Sequence, residues 1–251
     1  MASVFILSTG RAGTTFLHKL FSGYYPESNI SHQVRGSRLI NIIGNIPCPI
    51  SIKTKLIKTL FRVYSIDIQK STLDPLRSIS IASLLQETST EEKKIIHLVR
   101  DPKKVVSSFM NWKNESFSKF LLHYIIPFWQ PYPVGLNINF FRWVFMSKFE
   151  KYCWVWYYKN TLFKQFENSP NYKLIKTEDL TKSEKIVEKI EELINFSELP
   201  VKDFNYHTLA SKPINKSKSN KFPEYKNWTK KQKIIFSRIC VPLMIALGYE
   251  L

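Results

Sequence analysis

The chain has 251 residues, 44% of them hydrophobic and 23% charged, the make-up of a soluble globular protein with one full core and no need for a second. Its formal net charge is +17, from 37 Lys and Arg against 20 Asp and Glu, which suits anionic ligands or surfaces, although a Lys-, Ile- and Asn-rich background accounts for such an excess equally well. The basic residues are dispersed, which argues against a dedicated nucleic-acid arm. Cys48, Cys153 and Cys240 are far apart and show no metal-site spacing, so reduced thiols are expected rather than a disulfide framework or a zinc site.

The first apolar run, Val4-Phe5-Ile6-Leu7, is short and reads as a buried strand rather than a signal peptide. It leads into Ser8-Thr9-Gly10-Arg11-Ala12-Gly13-Thr14-Thr15, after which Phe16, Leu17, Leu20 and Phe21 recur at helical spacing. A strand, a glycine loop and a helix opening on hydroxyls make an anion site, because first-turn N–H groups and the helix dipole both favour negative charge. Two of only seven glycines lie in this loop.

Residues 29–34 read as a second strand containing His32 and Gln33, with Arg35, Gly36 and Arg38 just beyond. Residues 52–62 are predicted helical, 63–68 a strand ending in Gln69-Lys70-Ser71, Pro75 a turn, and 76–87 a helix. Residues 94–99 form a buried strand that ends in Arg100-Asp101-Pro102, where a proline near a helix start begins the next helix. Helical patterning fills 115–166 around a loop at 127–136 rich in proline and aromatic residues. A strand is expected at 172–176, an amphipathic helix at 183–194, a mostly loop region at 197–227 and a last helix at about 229–247. Strands alternating with helices imply an α/β fold: a three-layer, P-loop-like single domain over 1–251, its central parallel β-sheet flanked by helices, with an aromatic helical insertion at about 113–166. Ligands of such sheets bind beyond the carboxyl ends of the strands, and Arg11, His32, Lys70 and Arg100 all fall there.

A kinase-type P-loop reads G-x-x-x-x-G-K-[ST], its lysine reaching the terminal phosphates. Here Thr14 follows Gly13, and the basic residue precedes that glycine at Arg11, which points away from Mg-ATP chemistry. Thr9-Gly10-Arg11-Ala12-Gly13-Thr14-Thr15-Phe16-Leu17 instead resembles the 5′-phosphosulfate loop of the sulfotransferase family. Residues 98–109, with Arg100 and Ser108 eight residues apart, are similar to that family's 3′-phosphate motif. Lys176-Thr177-Glu178-Asp179-Leu180 looks like its Y-E-D-L segment, and the Leu247-Gly248-Tyr249 ending resembles that of its last helix.

The resemblance implies a sulfotransferase that moves the sulfuryl group of PAPS (3′-phosphoadenylyl sulfate) to an acceptor hydroxyl, giving PAP and requiring no metal. The implied donor site is Gly10, Arg11, Ala12, Gly13, Thr14, Thr15 and Phe16 for the 5′ end, with Arg100 and Ser108 for the 3′-phosphate. Ala12 replaces the family's usual serine. Gln33 and Gln69 stand at positions where family members carry a glutamate base, and glutamine cannot take a proton at neutral pH. His32 is then the remaining candidate base, with an ordinary pKa near 6.5, and Lys70 a candidate contact to the leaving group or acceptor. Arg11, His32 and Lys70 are thus the expected catalytic residues. Arg35 and Arg38 read as acceptor contacts or as plain surface residues. Residues 117–158 hold sixteen aromatic side chains, which suit a carbohydrate or glycolipid acceptor, a membrane surface or ordinary packing; residues 127–133 are expected to wall the acceptor site. The expected partners are a small-molecule or glycan acceptor and no specific nucleic acid, and the expected location is cytoplasmic, peripheral membrane contact remaining open. A phosphoryl-transferring P-loop enzyme and a catalytically silent PAP(S)-binding protein are the alternatives.

Overall fold

The structure is a computed structural model that describes residues 3–28, 50–63, 74–76, 93–111, 140–181, 186–202 and 222–250. In chain order the elements are β1 (Ser3–Ser8), α1 (Thr14–Tyr24), α2 (Ile50–Val63), β2 (Asp74–Leu76), β3 (Lys93–Val99), α3 (Pro102–Met110), α4 (Phe140–Phe145), α5 (Lys148–Lys164), β4 (Tyr172–Lys176), α6 (Ile186–Phe196), a 3₁₀ turn (Tyr225–Asn227) and α7 (Lys230–Ala246). The described strands form one parallel sheet in the order β2-β1-β3-β4, with Val4 opposite Lys94, Ile6 opposite Pro75 and Leu98 opposite Ile175.

The alternation of side chains along each strand sorts the core into two layers. Val4, Ile6, Ile96, Leu98 and Ile175 pack against Leu17, Leu20 and Phe21 of α1 and Ile190, Leu193 and Ile194 of α6. On the opposite side, Val105, Val106 and Phe109 of α3, Tyr152, Cys153 and Trp156 of α5, and Phe236, Ile239 and Met244 of α7 form a second cluster with Val99. Both faces of β1 are therefore buried, and the continuous apolar run is the sequence mark of such a strand. The expected three-layer α/β architecture is what the chain adopts.

Helix starts follow local chemistry. Asp101 caps α3 by accepting from the Lys103 N–H at 2.8 Å, with Pro102 in the first turn. Ser147 accepts from Glu150 N–H at 3.2 Å to open α5, and Thr229 with Gln232 forms a capping box for α7.

Three expectations from the sequence need correction. Val63 closes α2 instead of opening a strand, and Pro75 lies in strand β2 rather than in a turn. Proline donates no ladder hydrogen bond, but β2 occupies the edge of the described sheet, where that lack is tolerated. Leu76, placed in a helix by its sequence, belongs to the same strand. The predicted strand at 29–34, the rest of the predicted 76–87 helix and the 127–136 loop lie outside the described residues. Cys153 and Cys240 are free, buried thiols of α5 and α7, as expected; Cys48 lies outside the described residues. Among the described residues, no helix is long and apolar enough to cross a membrane.

His97, in the middle of β3, is fully buried. Its Nδ1 lies 2.7 Å from the Tyr172 hydroxyl and its Nε2 lies 2.8 Å from Asn160 Oδ1, while Asn160 Nδ2 donates to the Trp156 carbonyl. That orientation of the amide makes Nε2 the donor and Nδ1 the acceptor. Burial lowers the His97 pKa to about 4, so the ring is neutral at pH 7 and serves the core. The unfolded chain takes up this proton near pH 6.5 and the folded chain only near 4, so the stability that neutral His97 contributes is full above 6.5 and is lost as pH falls to 4. The loss is on the order of 3 kcal/mol. Denaturant unfolding at pH 7 and pH 4.5 is expected to show a larger drop in the wild type than in His97→Gln, and equal drops would contradict it.

Candidate functional site

The loop joining β1 to α1 turns on left-handed backbone. Gly10 (φ 81°), Arg11 (58°) and Gly13 (92°) all have positive φ. Gly13 needs its missing side chain twice over, since a Cβ there would also lie 3.0 Å from Thr177 Cγ2. Arg11 is not a glycine, and its strained backbone persists only because the surroundings hold it, a feature that concentrates at functional sites. The Gly10 N–H donates to Ser8 Oγ at 3.3 Å. Gly13 is the N-cap of α1 and supplies no capping side chain. The helix thus opens on amides that no N-cap side chain covers, the condition that makes a helix N-terminus attract anions.

The residues predicted from two distant motifs meet here. Arg11 Nε donates to Ser108 Oγ at 2.9 Å, and Arg100 Nη1 donates to the Arg11 carbonyl at 2.9 Å. Arg100 follows β3, and its own carbonyl accepts from Trp156 Nε1 of α5 at 3.1 Å. Ser108 lies in the second turn of α3. Burial, and then the positive charge of Arg100, lowers the Arg11 pKa. Two guanidinium groups held together in a partly desolvated site are a strong demand for a multivalent anion. Among the other predicted donor residues, Ala12 and Thr14 are buried, and Phe16 packs its ring into the core while its N–H donates to the Gly13 carbonyl at 2.9 Å. His32 and Lys70, with Gln33, Gln69, Arg35 and Arg38, lie outside the described residues.

The turn after β4 completes the surroundings. Thr177 Oγ1 is 2.5 Å from the Ala12 carbonyl and 3.0 Å from that of Val99. Glu178 accepts from the Asp101 N–H at 3.3 Å, from Lys104 Nζ at 3.3 Å and from the Tyr249 hydroxyl at 3.1 Å. Lys176 donates to the Gly248 carbonyl and stands 4.7 Å over the Tyr249 ring. Burial, followed by Glu178, raises the Tyr249 pKa, so the phenol stays protonated and donates. Burial raises the Asp101 pKa, opposed first by its bond from Lys103 N–H. Sequence reasoning did not place Thr177, Glu178 or Trp156 in the site. The T-E-D-L match was the available signal for the first two, while Trp156 resembled any other core aromatic. Among the described residues, no group of three His, Cys, Asp or Glu is placed to hold a metal ion.

A parallel three-layer α/β domain with a glycine-turned loop at the end of its first strand has a P-loop-like fold. The sulfotransferase domain model matches residues 2–238, and the chain belongs to the sulfotransferase family, whose sulfuryl donor is PAPS, and is an enzyme that acts as a sulfotransferase. Among solved structures it is similar to the sulfotransferase domain from the curacin biosynthetic pathway, with 18% identity and a TM-score of 0.51 over 100% of this chain and 98% of that one. A sulfotransferase from Alicyclobacillus acidocaldarius gives 13% identity and a TM-score of 0.52, covering 100% and 97% of the two chains. Mouse sulfotransferase SULT7A1, solved with PAP, gives 15% identity and a TM-score of 0.50, covering 97% and 84%. At these identities the likeness is one of fold. No curated protein sequence matches the chain.

Replacing Gly13 is expected to be costly, because any side chain must adopt φ 92° and press on Thr177. Gly13→Ala should lower stability by about 1–2 kcal/mol, a cost typical of a left-handed residue without glycine. An unfolding midpoint in denaturant indistinguishable from wild type would show that the loop relaxes without penalty.

Proposed function

We propose that residues 1–251 act as one domain that transfers the sulfuryl group of PAPS to an acceptor hydroxyl, releasing PAP. The observation that carries the reading is the convergence of Arg11, Arg100 and Ser108 at the mouth of the β1–α1 loop. A ligand with phosphates at both its 5′ and 3′ positions matches two motifs brought together in this way. In this reading Gly10, Arg11, Ala12, Gly13, Thr14, Thr15 and the Phe16 backbone take the 5′-phosphosulfate, and Arg100 and Ser108 the 3′-phosphate, which separates PAPS from ATP. The solved neighbour bound to PAP supports the same donor.

The transfer needs an acceptor oxygen in line with the sulfur. The acceptor O–S bond forms as the bond from sulfur to the 5′-phosphate oxygen breaks, that oxygen keeps the electron pair, and the hydroxyl proton passes to a base. Oriented N–H groups and guanidinium charge at the leaving phosphate stabilise what develops there, so no metal is called for. His32 is assigned the base, with neutral imidazole available at pH 7, and Lys70 a contact to the leaving group or acceptor; both assignments rest on their places in the sequence.

We assign the acceptor to the carbohydrate or glycolipid class. Of the aromatic segment at 117–158, Phe141 and Phe145 lie one turn apart on α4 and are 69% and 84% exposed, which suits a wall for sugar rings or an apolar aglycone. Trp143, between them, is buried, and Trp156 is core, so only part of the aromatic content is exposed. A cytoplasmic location with peripheral membrane contact is compatible with this acceptor class.

Transfer of labelled sulfuryl from PAPS is the test. Arg11→Ala and Arg100→Ala are each expected to lose at least about 100-fold in kcat/KM while keeping the wild-type circular dichroism spectrum, the size of loss seen when a charge-stabilising donor is removed. Near wild-type turnover in either would overturn the donor-site assignment. His32→Ala is expected to lower kcat far more than PAP affinity, and an unchanged kcat would move the base elsewhere.

A further inference from the structure

The turn that follows β4 touches both halves of the donor site through side chains that the strand ladder does not use. Thr177 is 7% exposed, and it stands between the ends of two strands. Its N–H donates to the Val99 carbonyl at 2.8 Å, and its hydroxyl lies between that carbonyl and the carbonyl of Ala12. Its methyl group faces the bare Cα of Gly13. Because a peptide unit is planar and trans, its C=O and N–H point in opposite directions. Holding the Ala12 carbonyl toward Thr177 therefore aims the Gly13 N–H away from β4. Glu178, the next residue, receives the Asp101 N–H and Lys104 at the first turn of α3, the helix that carries Ser108, and is braced from behind by the Tyr249 hydroxyl.

We propose that Thr177 and Glu178 are positioning residues of the donor site: Thr177 sets the peptide orientation of the 5′-phosphate loop, and Glu178 sets the start of α3 and with it the 3′-phosphate contacts. The proposal rests on the PAPS reading above. It adds that the loop's anion-binding shape, which its glycines permit, is fixed from β4. It also explains an acidic side chain so close to an anion site: the Glu178 carboxylate is spent on Lys104, one backbone N–H and a phenol.

Calorimetric titration of the full chain with PAP, and competition by AMP, which lacks the 3′-phosphate, tests both halves. Thr177→Val keeps the shape and removes the hydroxyl, and it is expected to bind both PAP and AMP at least about tenfold more weakly. Thr177→Ser restores the hydroxyl and is expected to stay within about threefold of wild type for both ligands. Glu178→Ala is expected to lose about tenfold for PAP with AMP unchanged, a ligand-dependent loss that general destabilisation would not give. Should Thr177→Val fail to fold, the Glu178→Ala pattern decides. PAP binding within twofold of wild type in Thr177→Val or in Glu178→Ala overturns the proposal and leaves the PAPS reading intact. Failure of the wild type itself to bind PAP overturns both.

Discussion

Two like charges in one partly buried cluster are the constraint on which the rest depends. Arg11 and Arg100 are close enough for the charge of one to lower the pKa of the other, and burial denies Arg11 the water that would screen it. Such a pair is unfavourable by itself. It is tolerated because hydrogen bonds to Ser108 and to the Arg11 carbonyl fix both guanidinium groups, and in the proposed function the anionic donor offsets it. The left-handed backbone at Gly10, Arg11 and Gly13 is a second stored cost at the same point. Costs concentrated at one place in a fold mark where its function lies.

The sheet delivers these groups without special arrangement. Because β1 lies between β2 and β3, and β4 follows beside β3, the carboxyl ends of β1, β3 and β4 open side by side. Each contributes one piece: the glycine loop, Arg100 with the α3 start, and the Thr177–Glu178 turn. The two core layers hold that geometry from both faces, with α1 and α6 behind the loop and α3, α5 and α7 behind Arg100. Trp156 shows the coupling, being a core residue of α5 whose indole N–H also fixes the Arg100 carbonyl.

Much of this was legible in the sequence where one local rule dominated. The continuous apolar runs of β1 and β3 could be little but buried strands, and Pro102 announced a helix start that the structure shows, with Asp101 as its cap. The β1–α1 loop was readable because its two glycines at a fixed offset serve a left-handed backbone shape. Pro75 misled because proline signals a turn unless its strand lies at an edge, and edge position is a property of the sheet. The T-E-D-L segment marked Thr177 only as part of a motif: its contacts exist only once Ala12, Gly13 and Val99 have been folded around it. His97 lies in the core, where burial inside an apolar strand presses the ring into neutrality.

The central claim is that the Arg11–Arg100 cluster recognises a nucleotide by phosphates at both the 5′ and 3′ positions. The most direct measurement compares equilibrium binding of PAP, ADP and ATP, each with and without Mg²⁺. The expected result is PAP binding at least about tenfold tighter than ADP or ATP and indifferent to Mg²⁺, since a charged contact to the additional 3′-phosphate is worth more than 1.4 kcal/mol. Tighter binding of Mg-ATP than of PAP would contradict it and return the loop to the phosphoryl-transfer class.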